Sequence, residues 1–286
     1  MLVNLTTLTP TMQDALRRLV AAITEHDGVS PINESASLGI EGLREAEFFF
    51  TGLRSDPYGF VVCDERDGTL LLGVHPAHRG EGVGTKLLEE AMRAHPDFAV
   101  WAFGTLPGGD ALANRLGFYP VRTLLRMERP LAGAAEAAVD PADGYRIVTY
   151  TPDLADRIVA VNARAFADHP EQGRLTRREF DDLTRLPWFD PSGFFVALAG
   201  DEVAGFHWTK RHGGGLGEVY LIAVAAEHEG RGLGRALLAR GLGHLEAAGD
   251  ERVQLYVEGD QKRVVTMYQR AGFQIMQTDT SYRLER

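Results

Sequence analysis

Gly230-Arg231-Gly232-Leu233-Gly234 stands between an apolar, β-branched run, Val219 to Val224, and a stretch with Leu233, Leu237, Leu238 and Leu242 on one side. A strand that stops at a glycine turn and opens a helix presents backbone N–H groups at the helix N-terminus, where the helix dipole also favours negative charge. The glycines let the backbone approach a bulky phosphate with no Cβ in the way. The spacing is neither the GxxxxGK(S/T) loop of nucleoside triphosphatases nor the GxGxxG dinucleotide fingerprint. The same pattern occurs earlier, in Val74-His75-Pro76 followed by Arg79-Gly80-Glu81-Gly82-Val83-Gly84-Thr85, with Gly82 and Gly232 lying 150 positions apart.

The repeat serves as an internal control on two proton-carrying residues. Glu218 begins the central strand of the second copy, and its counterpart in the first is Gly68. Tyr268 lies four residues before Gly272, and the residue four before Gly117 is Ala113. Taken singly, a Glu at a strand start is usually solvated and a helical Tyr is usually core. Against a glycine and an alanine in an otherwise matching copy, they stand out as a carboxylate able to take a proton and a phenol able to give one. Both copies keep the glycine loop, so both are expected to bind the same ligand and only the second to catalyse.

The elements that must position these groups follow from the pattern. In the first half, Met12 to Thr24 carries Leu16, Leu19, Val20 and Ile23 at helical spacing, and His26 to Ser37 reads as a loop. Leu38 to Thr51 reads as a second helix, and Gly59 to Cys63 and Thr69 to Val74 as strands joined by a turn. Ala99 to Phe103 is a further strand and Asp110 to Leu116 a short helix ending at Gly117-Phe118. Leu131 to Gly144 is rich in small residues, Pro and Gly, and marks a linker. The second half restarts with a strand at Tyr145 to Tyr150 and helices at Pro152 to Phe166 and Arg177 to Leu186. A hairpin follows over Phe194 to Leu198 and Val203 to Lys210, then a strand at Leu255 to Glu258 and a helix at Lys262 to Ala271. Two closing strands, Gln274 to Asp279 and Thr280 to Leu284, end the chain. The expected fold class is α/β: tandem domains at 1–130 and 145–286, each a twisted mixed β-sheet flanked by helices.

A length of 286 residues gives two domains of ordinary size, and 44% hydrophobic with 24% charged residues describes a soluble globular protein. The net charge of −10 argues against nucleic acid or an anionic membrane as the main partner. It leaves room for an anionic ligand held by a local cluster of donors. Cys63, the single cysteine, excludes an internal disulfide and reads as a buried strand residue beside Val61 and Val62. With no signal peptide or membrane-spanning run visible, the expected location is the cytoplasm and the expected state a monomer.

The x-x-G-x-G turn after a strand ending in Val resembles the pyrophosphate loop on which the GNAT acetyltransferase superfamily seats acetyl-CoA. In the second half F-A-D-H-P-E-Q-G, G-F-H-W-T-K, G-L-G-E-V-Y, L-Y-V-E and the Y-Q-x-x-G-F ending resemble the mycothiol synthase family of actinobacteria. The resemblance covers nearly the whole chain, including the V-H-P-x-x-R-x-x-G-x-G-T loop of the first half. Members of that family move acetyl from acetyl-CoA to the cysteinyl amine of a glucosaminyl-inositol, desacetylmycothiol, in the last step of mycothiol biosynthesis. Such an amine must be neutral to attack a thioester, and an α-amine of pKa about 7.7–8.0 is mostly protonated at neutral pH. The resemblance implies Glu218 as the general base, Tyr268 as the acid that protonates the leaving thiolate, and backbone N–H groups around Ile222 to Val224 as the holders of the carbonyl.

By the same resemblance, Glu171, Lys210, Glu218 and Tyr256 hold the acceptor, and Glu34 reaches it from the first domain. Acetyl-CoA is expected on Ile222, Ala223 and Val224, and on the loop Glu229, Gly230, Arg231, Gly232, Leu233, Gly234 and Arg235. Further contacts are expected from Gln261, Lys262, Arg263, Val264, Val265 and Thr266. In the first copy they are expected from Leu72, Gly73 and Val74 and from Gly80, Glu81, Gly82, Val83, Gly84 and Thr85. Two positions depart from the family pattern: Glu229 where the loop usually opens with Gln or Arg, and Gln261 where Asn is usual. Arg231 and Arg235 can offset the first. His169, His207 and His212 lack metal-ligand spacing and no metal is expected; His169 and His207 are expected to wall the pocket. The rival readings are a GNAT enzyme for another small amine or a peptide N-terminus, and a non-catalytic acetyl-CoA sensor.

Overall fold

Strand β5 (Ala99–Ala102) takes its antiparallel partner from the far end of the chain: β12 (Gln274–Leu284) joins it through Thr280↔Ala102, Ser281↔Trp101 and Tyr282↔Val100. The computed structural model describes residues 2–134, 139–141, 143–167 and 172–285. It divides into one unit of Met1–Arg126, Val257–Thr266 and Ile275–Arg286, and another of Met127–Tyr256 and Met267–Gln274. The closing segment is one strand rather than the two expected. It is held in the first unit by Asp279, which accepts from the Gly104 N–H at 2.7 Å, and by Tyr282, whose hydroxyl donates to Asp110.

In the first unit the strand order is β1 (Leu2–Leu5), β2 (Glu47–Leu53), β3 (Asp56–Asp64), β4 (Thr69–Val74), β5, β12 and β6 (Phe118–Pro130). Neighbours from β1 to β4 are antiparallel, while β4 and β5 are parallel and joined through α3 (Val83–Ala94) and its crossover. The helix expected over Leu38 to Thr51 is replaced by α2 (Glu34–Ile40) and β2. Asn33 starts α2 early, its Oδ1 accepting from the Ala36 N–H at 2.9 Å. Phe48, Phe49 and Phe50 are all buried, but 48 and 50 pack on the α1 (Pro10–Asp27) side and 49 on the α3 side. Only a period-2 strand between two helical layers buries three consecutive rings this way. Strands β1 and β6 carry no strong sequence signal and are additions from the structure. Cys63 is fully buried, as expected, and burial pushes its thiol well above the ordinary range.

The second unit has the order β11 (Arg252–Glu258), β10 (Leu216–Val224), β9 (Glu202–Gly213), β8 (Phe194–Ala199) and β7 (Tyr145–Thr149). Strands β10 and β11 are parallel and the other pairs antiparallel. On one face α5 (Ala155–Ala165) and α6 (Arg177–Leu183) bury Ile158, Val161 and Phe180 against Phe194, Phe206 and Trp208. Thr176 and Glu179 form a reciprocal capping box that starts α6. On the other face α7 (Leu233–Ala247) sets Leu233 and Leu237 on Phe195, Ala197 and Ala204. Helix α8 (Lys262–Arg270) follows β11. Among the described residues no helix is long and apolar enough to cross a membrane.

Candidate active site

The β9–β10 hairpin carries two register shifts, and they flank Glu218. Between Leu216↔Gly213 and Gly217↔Arg211, β9 has one extra residue, His212; between Val219↔Thr209 and Leu221↔Trp208, β10 has one extra residue, Tyr220. Bulges of this kind re-aim side chains and end regular pairing. The corresponding β3–β4 hairpin of the other unit runs from Gly59↔Val74 to Asp64↔Thr69 without a shift. Glu218 pairs with Lys210 on β9 and with Gln254 on β11, the last rung of the parallel ladder, although both strands continue. Beyond that rung the β11-facing edge of Ile222–Val224 has no ladder partner on β11.

Glu218 is 8% exposed, and its Oε2 accepts from His212 Nε2 at 2.7 Å and from Gln254 Nε2 at 2.9 Å. A carboxylate only accepts, so both nitrogens donate, which fixes the His212 tautomer with hydrogen on Nε2. Lys210 sits over the rings of Trp188 and Tyr220, 4.7 and 5.5 Å from their centroids, and these two rings meet at 5.0 Å. Tyr256 follows Gln254 by two positions on β11, hence shares its face, and is half-exposed. The structure therefore gathers Glu218 and Lys210 with His212, Gln254, Trp188 and Tyr220, four residues the sequence reading did not assign to the site. The alternation K-x-H on one strand was a usable signal for His212; nothing in the sequence alone pairs Gln254 with Glu218.

Tyr268 lies on α8, 5% exposed, with its ring edge-on to Phe273 at 5.6 Å. Burial pushes its phenol well above the ordinary tyrosine range. It therefore remains a neutral proton donor at neutral pH. Among the described residues its hydroxyl has no hydrogen-bond partner.

Both glycine loops take the shape expected of an anion site. Gly232 caps α7 at φ 77° and Gly82 caps α3 at φ 77°, left-handed conformations that glycine adopts without strain. A Cβ built at Gly230, Gly232, Gly80 or Gly82 meets nothing within 4 Å, so the space above each loop is open. The first intrahelical bonds run from Ala236 N–H to Gly232 O and from Lys86 N–H to Gly82 O, both at 3.1 Å. The N–H groups of Leu233, Gly234 and Arg235, and of Val83, Gly84 and Thr85, precede them. Arg231 and Arg235 are exposed and make no ion pair among the described residues. These residues fit a pyrophosphate. At the position of Glu229, the first copy has Arg79, which grips Asp27 through two 2.8 Å bonds and donates to Val74 O at 3.1 Å. Thr85 accepts from Arg115 at 2.8 Å. Gly73 is explained by packing: a Cβ there would lie 2.5 Å from the Phe60 ring.

Glu34 is the exposed first residue of α2, and Lys262 to Thr266 open α8 directly after Gln261, with Val264 and Val265 partly buried; all are grouped with the first unit. Glu171 and His169 lie outside the described residues. His207 is not a pocket wall: it is fully buried between β9 and α7, donating from Nδ1 to Leu237 O at 2.9 Å. Among the described residues two His and acid groupings occur, neither including Glu218, at Glu47, Cys63 and His95 and at Glu202, Glu227 and His228. In the first, a hydrogen bond between Glu47 and His95 accounts for the approach.

A glycine turn opening a helix after a strand that parts from its parallel neighbour, with a buried carboxylate at the parting, defines an acetyl-CoA-dependent N-acetyltransferase of the GNAT class. Family models agree: one described as Acetyltransferase (GNAT) family matches residues 162–273, and one described as Acetyltransferase (GNAT) domain matches residues 45–120. The chain belongs to the mycothiol acetyltransferase family. It is 41% identical to a mycothiol acetyltransferase of Propionibacterium freudenreichii subsp. shermanii over 94% of this chain and 88% of that protein. Identity is 39% to one from Catenulispora acidiphila, over 94% of each chain. In fold it is similar to a GCN5-related N-acetyltransferase from Sphaerobacter thermophilus, with TM-score 0.77, 23% identity and 98% and 94% of the two chains covered. It is also similar to a tandem GNAT protein from the clavulanic acid biosynthesis pathway, with TM-score 0.72, 15% identity and coverage of 99% and 98%.

Proposed function

We propose that the chain transfers acetyl from acetyl-CoA to the cysteinyl amine of desacetylmycothiol, a cysteinyl-glucosaminyl-inositol, and that the second unit carries the chemistry. The observation that supports this most is the Glu218 carboxylate, buried at the last rung between β10 and β11 with Oε2 held by two donors. Bound acetyl-CoA supplies an acyl thioester. Glu218 takes a proton from the acceptor ammonium, freeing the nitrogen lone pair to form the new N–C bond. Backbone N–H groups of Ile222 to Val224 hold the acyl oxygen, the Tyr268 phenol gives its proton to the sulfur as the C–S bond breaks, and the second proton shed by the nitrogen restores the phenol through solvent. Gly230 to Arg235 hold the pyrophosphate by backbone N–H groups, with Arg231 and Arg235 adding charge. Lys210 and Tyr256 offer a cation and a phenol to an acceptor covered in hydroxyls. The first unit keeps a glycine loop but has neither the carboxylate nor the bulges, which supports acetyl-CoA binding there without turnover.

The test is acetyl-CoA-dependent acetylation of purified cysteinyl-glucosaminyl-inositol, followed by release of the CoA thiol. Turnover that drops by about 100-fold or more in Glu218→Ala is expected for loss of a general base. No turnover of this acceptor by protein that still binds acetyl-CoA would sink the substrate assignment.

A further inference from the structure

His212 enters no step of the proton transfer above, yet it makes the shortest hydrogen bond to the base, 2.7 Å from Nε2 to Glu218 Oε2. We propose that His212 is a positioning residue for the acetyl transfer. By donating to Oε2 together with Gln254, it holds the Glu218 carboxylate so that Oε1 is the oxygen that takes the amine proton. This rests on the reading of Glu218 as the base.

Three observations carry it. Both hydrogen bonds to Glu218 among the described residues converge on Oε2 and none goes to Oε1. Two donors occupy the lone pairs of one oxygen and leave those of the other unoccupied. Strand alternation sets His212 on the face of Lys210 and Glu218, while Arg211 turns to the opposite face and pairs with Asp250 at 2.8 Å. The bulge then releases His212 from the rung that Leu216 would otherwise take, pairing Leu216 with Gly213 instead. The imidazole is free to lean over the carboxylate. Finally, the two donors come from opposite neighbouring strands, β9 and β11, so the carboxylate is clamped from both sides of β10. His212 is the outer clamp, its side chain 32% exposed, against 11% for that of Glu218.

The experiment compares wild type, His212→Ala, His212→Gln and Glu218→Ala as full chains, in steady-state assays with acetyl-CoA and cysteinyl-glucosaminyl-inositol. Glutamine keeps an N–H donor at the end of a side chain of similar reach. Loss of a hydrogen bond to a charged group should lower kcat about tenfold or more in His212→Ala, with both KM values within about twofold. His212→Gln should restore kcat to within about threefold of wild type. A merely structural role would not produce rescue by the donor alone. Nitrogen-15 NMR of the imidazole supplies a reading independent of turnover: an Nε2–H tautomer in wild type, perturbed in Glu218→Ala. Wild-type kcat in His212→Ala, a glutamine variant as poor as alanine, or an Nδ1–H tautomer overturns the proposal. Turnover lost in Glu218→Ala while His212→Ala is unimpaired overturns the positioning role alone. Turnover kept in Glu218→Ala overturns the base assignment and this role with it.

Discussion

Glu218 faces Gln254 across the last rung of the parallel β10–β11 ladder and accepts its amide hydrogen at 2.9 Å. The proposed base therefore stands on a strand, four residues before the edge proposed to hold the acyl oxygen, rather than on a loop. Sites built on regular elements keep their geometry with little motion. The two bulges at His212 and Tyr220 end regular pairing on either side of this rung while leaving the rung itself intact.

Lys210 is the partner of Glu218 on the other side, and its ammonium lies over Trp188 and Tyr220 at 4.7 and 5.5 Å. Aromatic faces hold a cation without neutralising it. In Lys210→Met the stem still covers the rings and the donor is gone. Steady-state kinetics should show the acceptor KM up by about tenfold or more, with the acetyl-CoA KM unchanged. An unaltered acceptor KM would remove Lys210 from the binding set.

Tyr268 tests the acid. Burial raises its phenol well above the usual range, so the group stays protonated throughout the physiological window and donates rather than ionises. Two results follow. Tyr268→Phe keeps the buried ring against Phe273 and should melt close to wild type, while kcat falls about 100-fold. In wild type, kcat should show no alkaline decline from this group up to about pH 9, because an ordinary phenol near 10 has been shifted further upward. A Tyr268→Phe variant with full kcat contradicts the assignment.

The sequence made the repeat, both glycine loops and the Glu218–Tyr268 contrast legible, because each depends on residue types at fixed spacing. What stayed hidden depends on pairing between strands. Gln254 lies just before the strand expected at Leu255 to Glu258, and nothing ties it to Glu218 until β10 and β11 are set in register. Tyr220 reads as an ordinary strand residue, and His212 falls past the expected strand end at Lys210, until the pairing shows the two bulges. Phe48 to Phe50 look like a helix face, since a short apolar run does not by itself distinguish the two periods. The destination of β12 lies furthest from sequence, as its partner β5 is about 180 positions earlier.

Gly232 and Gly82 share the same φ of 77° and the same open surroundings, which makes them a matched pair for separating the two loops. A side chain at either costs about 1–2 kcal/mol of left-handed strain, so any loss of melting temperature should be alike. Glutamate adds bulk and negative charge where pyrophosphate is expected. Gly232→Glu should raise the acetyl-CoA KM by about tenfold or more, and Gly82→Glu should leave turnover within about twofold of wild type. Equal loss in both variants would place the chemistry, or its control, in both units.

His207 ties stability to pH. It is fully buried, donates from Nδ1 to Leu237 O, and packs so tightly on α7 that a Cβ built at Gly241 would lie 2.1 Å from its ring. Burial pulls its pKa down to about 4, against about 6.5 in an unfolded chain. Between these values the unfolded state binds a proton that the folded state refuses, so stability rises with pH across that window. The contribution is complete above about pH 6.5 and is lost as pH falls, amounting to about 2 kcal/mol by pH 5. In His207→Asn an amide N–H can still reach the Leu237 carbonyl, but the group no longer titrates. Urea unfolding at pH 7 and pH 5 should show a smaller loss of stability in the variant than in wild type, even if the variant starts lower because of the space it leaves. Carboxylates add their own pH dependence to both proteins, and the difference between the two slopes removes it. Identical slopes would mean that His207 is protonated in the folded chain, with water or a counter-charge reaching a ring that the packing against Gly241 otherwise seals.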